Sequence, residues 1–365
     1  MQIKNVPNQL FISIAGRAKA DTVAGGGANM NDDAAKANIA KALHRFGLIS
    51  VDIIPKMKPL TGGVSSDIWR VVLPGRVVCV KRALAKLKVA ADWRAPIGRN
   101  AYEVAWFETA AQFAPNAVPE IVAHDAEDGL FVMEYLDPTE YRLWKAALLE
   151  GEADVGAAES VARILAQIHA GSAGDVDVAH RFDTDETFHA IRLEPYLEAT
   201  AGTHPEYSER LMELSARTAA IKKTLVHGDV SPKNILLGPH GPVFLDAECA
   251  WYGDPAFDAA FCLNHLLLKG AWRPDRAAAY LNCFLAFGHA YLDGADWEPA
   301  DALEARVATL LPGLFLARID GKSPVEYLTQ DAQKNKVRRA ANRLLQKPVS
   351  RLAEVAAIWE REVKA

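Results

Sequence analysis

The chain has 365 residues, half of them hydrophobic and 24% charged. That balance supports a packed core without disulfide staples and excludes a wholly disordered, collagen-like or coiled-coil chain. Forty-one Lys and Arg stand against 46 Asp and Glu, a net charge of −5, so no basic excess points to nucleic acid or an anionic membrane as the main partner. The length corresponds to about two domains. Cys79, Cys249, Cys262 and Cys283 are scattered without C-x-x-C spacing. They read as small buried hydrophobes in a reducing compartment, with no zinc or redox role. No apolar run approaches the ~20 residues of a membrane span. Residues 10–15 are too short and too polar for an export signal, so the expectation is a cytoplasmic protein with no membrane partner.

Residues 1–32, with Gly25-Gly26-Gly27, lack hydrophobic periodicity and read as a poorly ordered tail. A first helix is expected from Asp32 or Asp33, with Ile39, Leu43 and Phe46 on one face and Gly47 as its stop. The pattern then turns strand-like from 57 to 136. Runs 68–73 and 76–81 flank Pro74-Gly75 and read as a hairpin. A helix over 98–113 carries Tyr102, Trp106, Ala110 and Phe113 at helical spacing and is ended by Pro115 and Pro119. Short strands follow at 121–124 and 130–136, and Asp137-Pro138 is a break. Beyond it the chain is mostly helical, with one β-rich island over 225–246. The fold class is therefore α+β in two lobes, a β-rich lobe over 33–136 and a mainly helical lobe over 137–365.

The chemistry concentrates in that island. Val226-His227-Gly228-Asp229-Val230-Ser231-Pro232-Lys233-Asn234 leads into an apolar strand, a Gly/Pro turn over 238–242, and a second strand ending in Asp246-Ala247-Glu248. Polar residues stand at the strand ends, so Asp229, Asn234, Asp246 and Glu248 can converge on one rim. Such hard oxygen donors suit Mg²⁺, whereas zinc would want His and Cys.

The ordered set H-G-D-x-x-P-x-N, then D-x-E, then Gly253-Asp254-Pro255-x-x-Asp258 resembles the aminoglycoside phosphotransferase and choline kinase superfamily, relatives of protein kinases. The resemblance implies a two-lobed protein-kinase-like fold and transfer of the γ-phosphate of ATP, with Mg²⁺, to a small-molecule hydroxyl. It implies Asp229 as catalytic base, Asn234 and Asp246 as Mg²⁺ ligands, and Glu248 on a second metal or a metal-bound water. Asp258 and His227 become braces of the catalytic loop. Phosphoryl transfer works mainly by positioning and charge neutralisation, which calls for a phosphate-facing loop and an upstream lysine. The loop is expected at Gly62, Gly63, Ser65 and Ser66, and the lysine is Lys81. Glu103 and Glu108 are both candidates for its acidic partner. They lie about 140° apart on a helix and cannot share a face, and Glu103 fits the family's helix better. Met133, Glu134, Tyr135 and Leu136 resemble the hinge that meets adenine.

The acceptor is less legible. Segments 81–85, 99–103, 135–138 and 246–253 resemble the methylthioribose kinase branch, with Arg338-Arg339 as a counterpart of its C-terminal arginine pair. This favours a sugar-like alcohol. Pro232, Asn234 and the nucleotide loop depart from that branch. A cationic aminoglycoside would call for an acidic pocket, for which Glu194, Asp293, Asp296 and Glu298 are available. Choline would call for an aromatic cage from Trp251, Trp272 and Trp297. A nucleotide-binding pseudokinase stands as a reading of another class. A protein kinase lacks support, since D-F-G and A-P-E motifs are absent. Several relatives dimerise, so a homodimer is also among the expectations. Gly321-Lys322-Ser323 fails as a Walker A motif, because Leu316 stands where the first glycine belongs. The basic run 334–343 reads as a solvated helix face, and no nucleic-acid partner is expected.

Overall fold

A computed structural model describes residues 30–60, 66–83 and 99–364. Gly62, Gly63 and Ser65 of the expected nucleotide loop, and the tail over 1–29, lie outside the described residues. Helix α1 spans Met30–Arg45. It begins two residues before the expected start, so Asp32 and Asp33 fall in its first turn, where carboxylates complement the helix dipole. Ile39 and Leu43 are fully buried and pack with Trp69, Val71, Val78, Val80 and Val132 as the core of the N-terminal lobe.

Five antiparallel strands form its sheet: β1 (Lys56–Leu60), β2 (Ser66–Leu73), β3 (Arg76–Ala83), β4 (Ile121–Asp125) and β5 (Leu130–Glu134), in the order β1-β2-β3-β5-β4. The β2–β3 hairpin closes with Leu73 opposite Arg76, and Gly75 supplies the left-handed turn conformation at φ +84°. Strand β3 is paired on both sides, which places Lys81 between Ile68 on β2 and Phe131 on β5. Helix α2 (Arg99–Phe113) is buried along most of its length, Glu103 included.

The second lobe is built around helix Ala256–Trp272, which is buried from Ala256 through Ala271 on every side. A helix buried on every side belongs at the centre of a bundle, and this one carries Asp258, Asn264, His265 and Lys269 among its buried residues. Helices Ala277–Asp293 and Ala300–Asp320 pack along it, Asp331–Gln346 and Leu352–Lys364 also reach it, and Val155–Ser172 packs on Ala277–Asp293. The island over 225–246 is not one hairpin. Thr224–Val226 pairs with Trp251–Gly253, and only Ile235–Gly238 and Gly241–Phe244 pair as neighbours. Gly228 at φ +78° and the 3₁₀ turn Pro232–Asn234 redirect the chain between them.

One element has no counterpart in the sequence reading, a wide π-helical stretch over His189–Glu198. Its cause is Pro195, which has no N–H for the Ile191 carbonyl one α-turn back. All four cysteines are free and buried, Cys79 in β3 and the other three in the helical lobe. Burial pushes the Cys79 thiol up to about 12. Among the described residues no helix is long and apolar enough to cross a membrane.

Candidate active site

The two lobes meet at Lys81. Its Nζ lies 2.6 Å from Glu103 Oε2 and 2.6 Å from Asp246 Oδ1, so one ammonium joins β3, α2 and the C-terminal lobe. Burial alone would strip its proton, but the two carboxylates hold Lys81 firmly protonated. Glu103 Oε1 also accepts the Asp246 N–H at 3.2 Å. Asp246 adopts φ +66°, a left-handed conformation in which few side chains other than Asn and Asp are found. Against the push of burial, Lys81 and Lys233 hold the Asp246 carboxyl well below the usual carboxylate range. Glu108 is elsewhere, paired with Arg181. The choice between the two glutamates, open in the sequence, falls to Glu103 in the structure.

The loop that bears Asp229 is braced from below. Asp258, fully buried, accepts the His227 N–H at 2.7 Å and the Gly228 N–H at 2.8 Å, and His169 Nε2 lies 3.3 Å away. His227 Nδ1 accepts the Asp229 N–H at 3.1 Å, so its Nε2 carries the proton donated to the Leu245 carbonyl, also at 3.1 Å. Both ring nitrogens are occupied and burial depresses its basicity, so His227 is spent on holding the loop. A Cβ on Gly228 would sit 2.6 Å from the Cys249 carbonyl, at a φ that side chains rarely adopt. Gly228→Ala is therefore expected to cost about 2 kcal/mol or more, read as a lower thermal midpoint, with a matching loss of turnover as Asp229 is displaced.

The Asp229 carboxylate is gripped by two cations that the sequence reading did not single out. Arg192 Nη2 lies 2.9 Å from Oδ2 and Lys233 Nζ 3.0 Å from the same oxygen. Arg192 comes from the π-helical stretch. Its Nε donates to the Gly228 carbonyl, and its Nη1 donates at 2.7 Å to Ile191 O, the carbonyl that Pro195 cannot serve. The signal available in the sequence was that proline inside a helical pattern. Burial raises the Asp229 carboxyl, but Lys233 and Arg192 outweigh it and keep the group ionised below its ordinary range. An ionised carboxylate is suited to accept and orient a hydroxyl proton.

Asn234 Nδ2 donates to the Asp229 carbonyl at 3.0 Å, which fixes the amide plane. Asn234 and Asp246 thus offer one amide and one carboxylate oxygen donor. Among the described residues no three His, Cys, Asp or Glu side chains cluster as a metal cage. A sparse, all-oxygen donor set fits Mg²⁺, which takes the rest of its ligands from water and phosphate. Glu248 meets Arg99 Nη1 at 3.1 Å. Ser66 Oγ, at the start of β2, is buried with no hydrogen-bond partner among the described residues. Met133 and Leu136 are buried beside the sheet. The Glu134 N–H is already donated to the Glu120 carbonyl at 2.9 Å, so of the Glu134 backbone the carbonyl is left for a base.

Other expected groupings do not form. Trp251 stacks on Phe188, Trp272 meets Tyr327, and Trp297 meets His169 and Tyr291, so the three tryptophans make no cage. Glu194 pairs with Lys322 and Glu298 with Arg306 and Lys223, which removes both from an acidic pocket. Arg338 and Arg339 are bound to Asp320 and Glu362, and Arg343 of the same basic run also meets Glu362.

A profile described as the phosphotransferase enzyme family matches residues 56–303, more than half of the chain. Methylthioribose kinase from Yersinia pseudotuberculosis is 26% identical over 226 residues, covering 55% of this chain and 55% of that protein. The enzyme of the same name from Pectobacterium atrosepticum is 25% identical over 233 residues, covering 55% and 58%. The chain thus spans about half the length of the curated relatives it matches. An ethanolamine kinase structure from Plasmodium vivax superposes with a TM-score of 0.54 at 12% identity, over 93% of this chain and 89% of that one, which supports the two-lobed protein-kinase-like fold. By its profile match, its fold and the ordered motif around Asp229, the chain belongs to the phosphotransferase enzyme family.

Proposed function

We propose that this chain is an ATP- and Mg²⁺-dependent phosphotransferase that moves the γ-phosphoryl group to a hydroxyl of a small, sugar-like alcohol. The observation that carries the reading is the Lys81 bridge, a cation held 2.6 Å from Glu103 and 2.6 Å from Asp246 across 165 residues of sequence. In this reading Lys81 receives the nucleotide phosphates and Glu103 keeps it aimed. Ser66, with Gly62, Gly63 and Ser65, covers them. The Glu134 carbonyl and the backbone of Tyr135 and Leu136 meet the base beside Met133. Asn234 and Asp246 hold Mg²⁺, which neutralises phosphate charge when bound. Glu248, engaged by Arg99, acts on metal-bound water. Asp229 orients the acceptor hydroxyl and takes its proton. Names of the relatives matched in sequence support a sugar-like acceptor.

The test is a coupled assay of ADP release over sugars, aminoglycosides, choline-like amines and hydroxylated amino acids. Acceptor-dependent release with polyol-like alcohols is expected. Nucleotide binding without transfer to any alcohol would replace this reading with a pseudokinase, and transfer to protein alone would replace it with a protein kinase.

A further inference from the structure

Behind Arg192 the helical lobe holds a cluster of cations that the reaction as described does not use. The Arg192 guanidinium lies 5.8 Å from the Tyr196 ring centre and 5.9 Å from that of Phe261. Phe261 in turn lies 5.4 Å from the His265 ring, and Lys269 follows one helical turn further on the same face. Arg318 Nη1 donates to the Tyr196 hydroxyl at 3.3 Å. Lys269 Nζ stands 4.2 Å over the Tyr327 ring, and Lys145 pairs with the neighbouring Glu326. Of the five cations Lys145, Arg192, Lys233, Lys269 and Arg318, Arg192 and Lys233 are paired with Asp229 and also lie near Glu248 and Asp246, and Lys145 is paired with Glu326, which leaves Lys269 and Arg318.

The inner part of the cluster is buried and short of counter-charge, although Lys233 at its rim is exposed and Arg318 Nη1 also donates to the Ser323 carbonyl and hydroxyl. Lys269 is 1% exposed and Arg318 8%, and neither has a carboxylate within ion-pair distance among the described residues. His265, 7% exposed, has a buried Nε2 with no hydrogen-bond partner among the described residues, and the Tyr327 hydroxyl is in the same condition. Burial, then the charges of Arg318, Lys269, Lys233 and Lys145, keep His265 neutral. Lys233 also touches Asp229, so the cluster and the carboxylate that would receive the acceptor hydroxyl share a residue. A buried cation without a counter-charge is costly, and apolar residues of similar size would serve the fold better. A neutral sugar would leave these charges uncompensated, and a cationic aminoglycoside or choline would be repelled.

We propose that the acceptor alcohol carries an anionic group, a carboxylate or a phosphate, which this cluster receives while the hydroxyl faces Asp229. The inference rests on the kinase reading and narrows its acceptor. Matched acceptors test it: glycerol against glycerate and glycerol 3-phosphate, glucitol against gluconate, with kanamycin and choline as cationic controls. The expected result is a preference of at least ~10-fold in kcat/KM for the anionic member of a set. In Lys269→Met and Lys145→Met that preference should shrink by ~10–100-fold, with the KM for nucleotide unchanged. Glycerate and glycerol 3-phosphate separate carboxylate from phosphate recognition. Equal or better turnover of the neutral or cationic members would overturn the inference and leave the kinase intact. With no turnover at all the kinase reading fails, and saturable thermal stabilisation by the same anions then decides. Stabilisation of the wild type that is lost in both variants sustains the anion site, and its absence overturns it. The thermal midpoint of each variant reports that it is folded.

Discussion

Asp229→Asn is expected to lower kcat by roughly 10²–10⁴-fold while nucleotide affinity stays largely unchanged. Asparagine keeps the volume and still accepts from Arg192 and Lys233 through its amide oxygen, but it cannot take a proton. The more usual alanine variant would confuse the result. Arg192 Nη2 and Lys233 Nζ stand 2.9 and 3.0 Å from Oδ2; both variants lose the counter-charge, but alanine also removes the oxygen these donors share and leaves a buried guanidinium N–H without an acceptor, at a further cost of about 1–3 kcal/mol. A fall in activity would then mix lost chemistry with a loosened loop. Steady-state kcat, a nucleotide-binding titration and a thermal midpoint on Asp229→Asn separate the two. Full turnover in a folded Asp229→Asn would remove this residue from the mechanism. The same two cations hold Asp229 below the ordinary carboxylate range, so the acid limb of the rate profile is expected below the position a free aspartate would give.

Lys269→Met should make the protein more stable, the opposite of what most buried substitutions do. Burial, joined by Lys145 and Arg318, lowers Lys269 from 10.5 to about 7. A fall of that size corresponds to about 5 kcal/mol of unfavourable charging. Contact with the Tyr327 ring offsets part of it, up to ~2 kcal/mol. The net expectation is a gain of about 3–5 kcal/mol, or roughly 5 °C in Tm at neutral pH. The direction with pH follows from linkage. The folded-state value lies below the unfolded one, so the penalty is fully present below about pH 7 and fades as pH climbs toward 10.5. Wild type should therefore close the gap on the variant through that window. Thermal melts at several pH values check this, and a variant less stable than wild type at pH 7 would show that Lys269 is a structural cation. A residue that costs the fold this much while the variant loses acceptor preference is one retained for binding.

The chemistry-bearing loop was legible because its residues are local. His227, Gly228, Asp229 and Asn234 sit within eight positions, and Gly228 and Asp258 take the places that their motif requires. Lys81 was legible because a hairpin with a Pro-Gly turn fixes where its strand lies; for its partner, 3.6-residue periodicity showed only that Glu103 and Glu108 cannot share a face, the family resemblance favoured Glu103, and the packing decided it. Lys233 lies within the motif itself, four residues from the Asp229 it touches, but the other cations of the helical lobe were not legible. Arg192, Lys269 and Arg318 lie on separate elements of the helical lobe, and only the packing around helix Ala256–Trp272 brings them near one another. Periodicity says which face of a helix is buried, but not which other face it meets. The tryptophans failed for the same reason, since suitable types spread over 251–297 carry no information about convergence. Pro195 marks the stretch that carries Arg192, but a proline inside a helical pattern normally signals an end, whereas here the helix widens instead.

The buried cysteines give the molecule a set of internal reporters. Cys79 lies in the central strand of the N-terminal lobe, whereas Cys249, Cys262 and Cys283 are sealed in the other. A thiol that reacts only when its surroundings open makes labelling rate a measure of local opening. Mass spectrometry of an alkylated sample, resolved by peptide, therefore times the opening of each lobe separately. Repeated with nucleotide alone and with acceptor alone, it shows which lobe each ligand clamps.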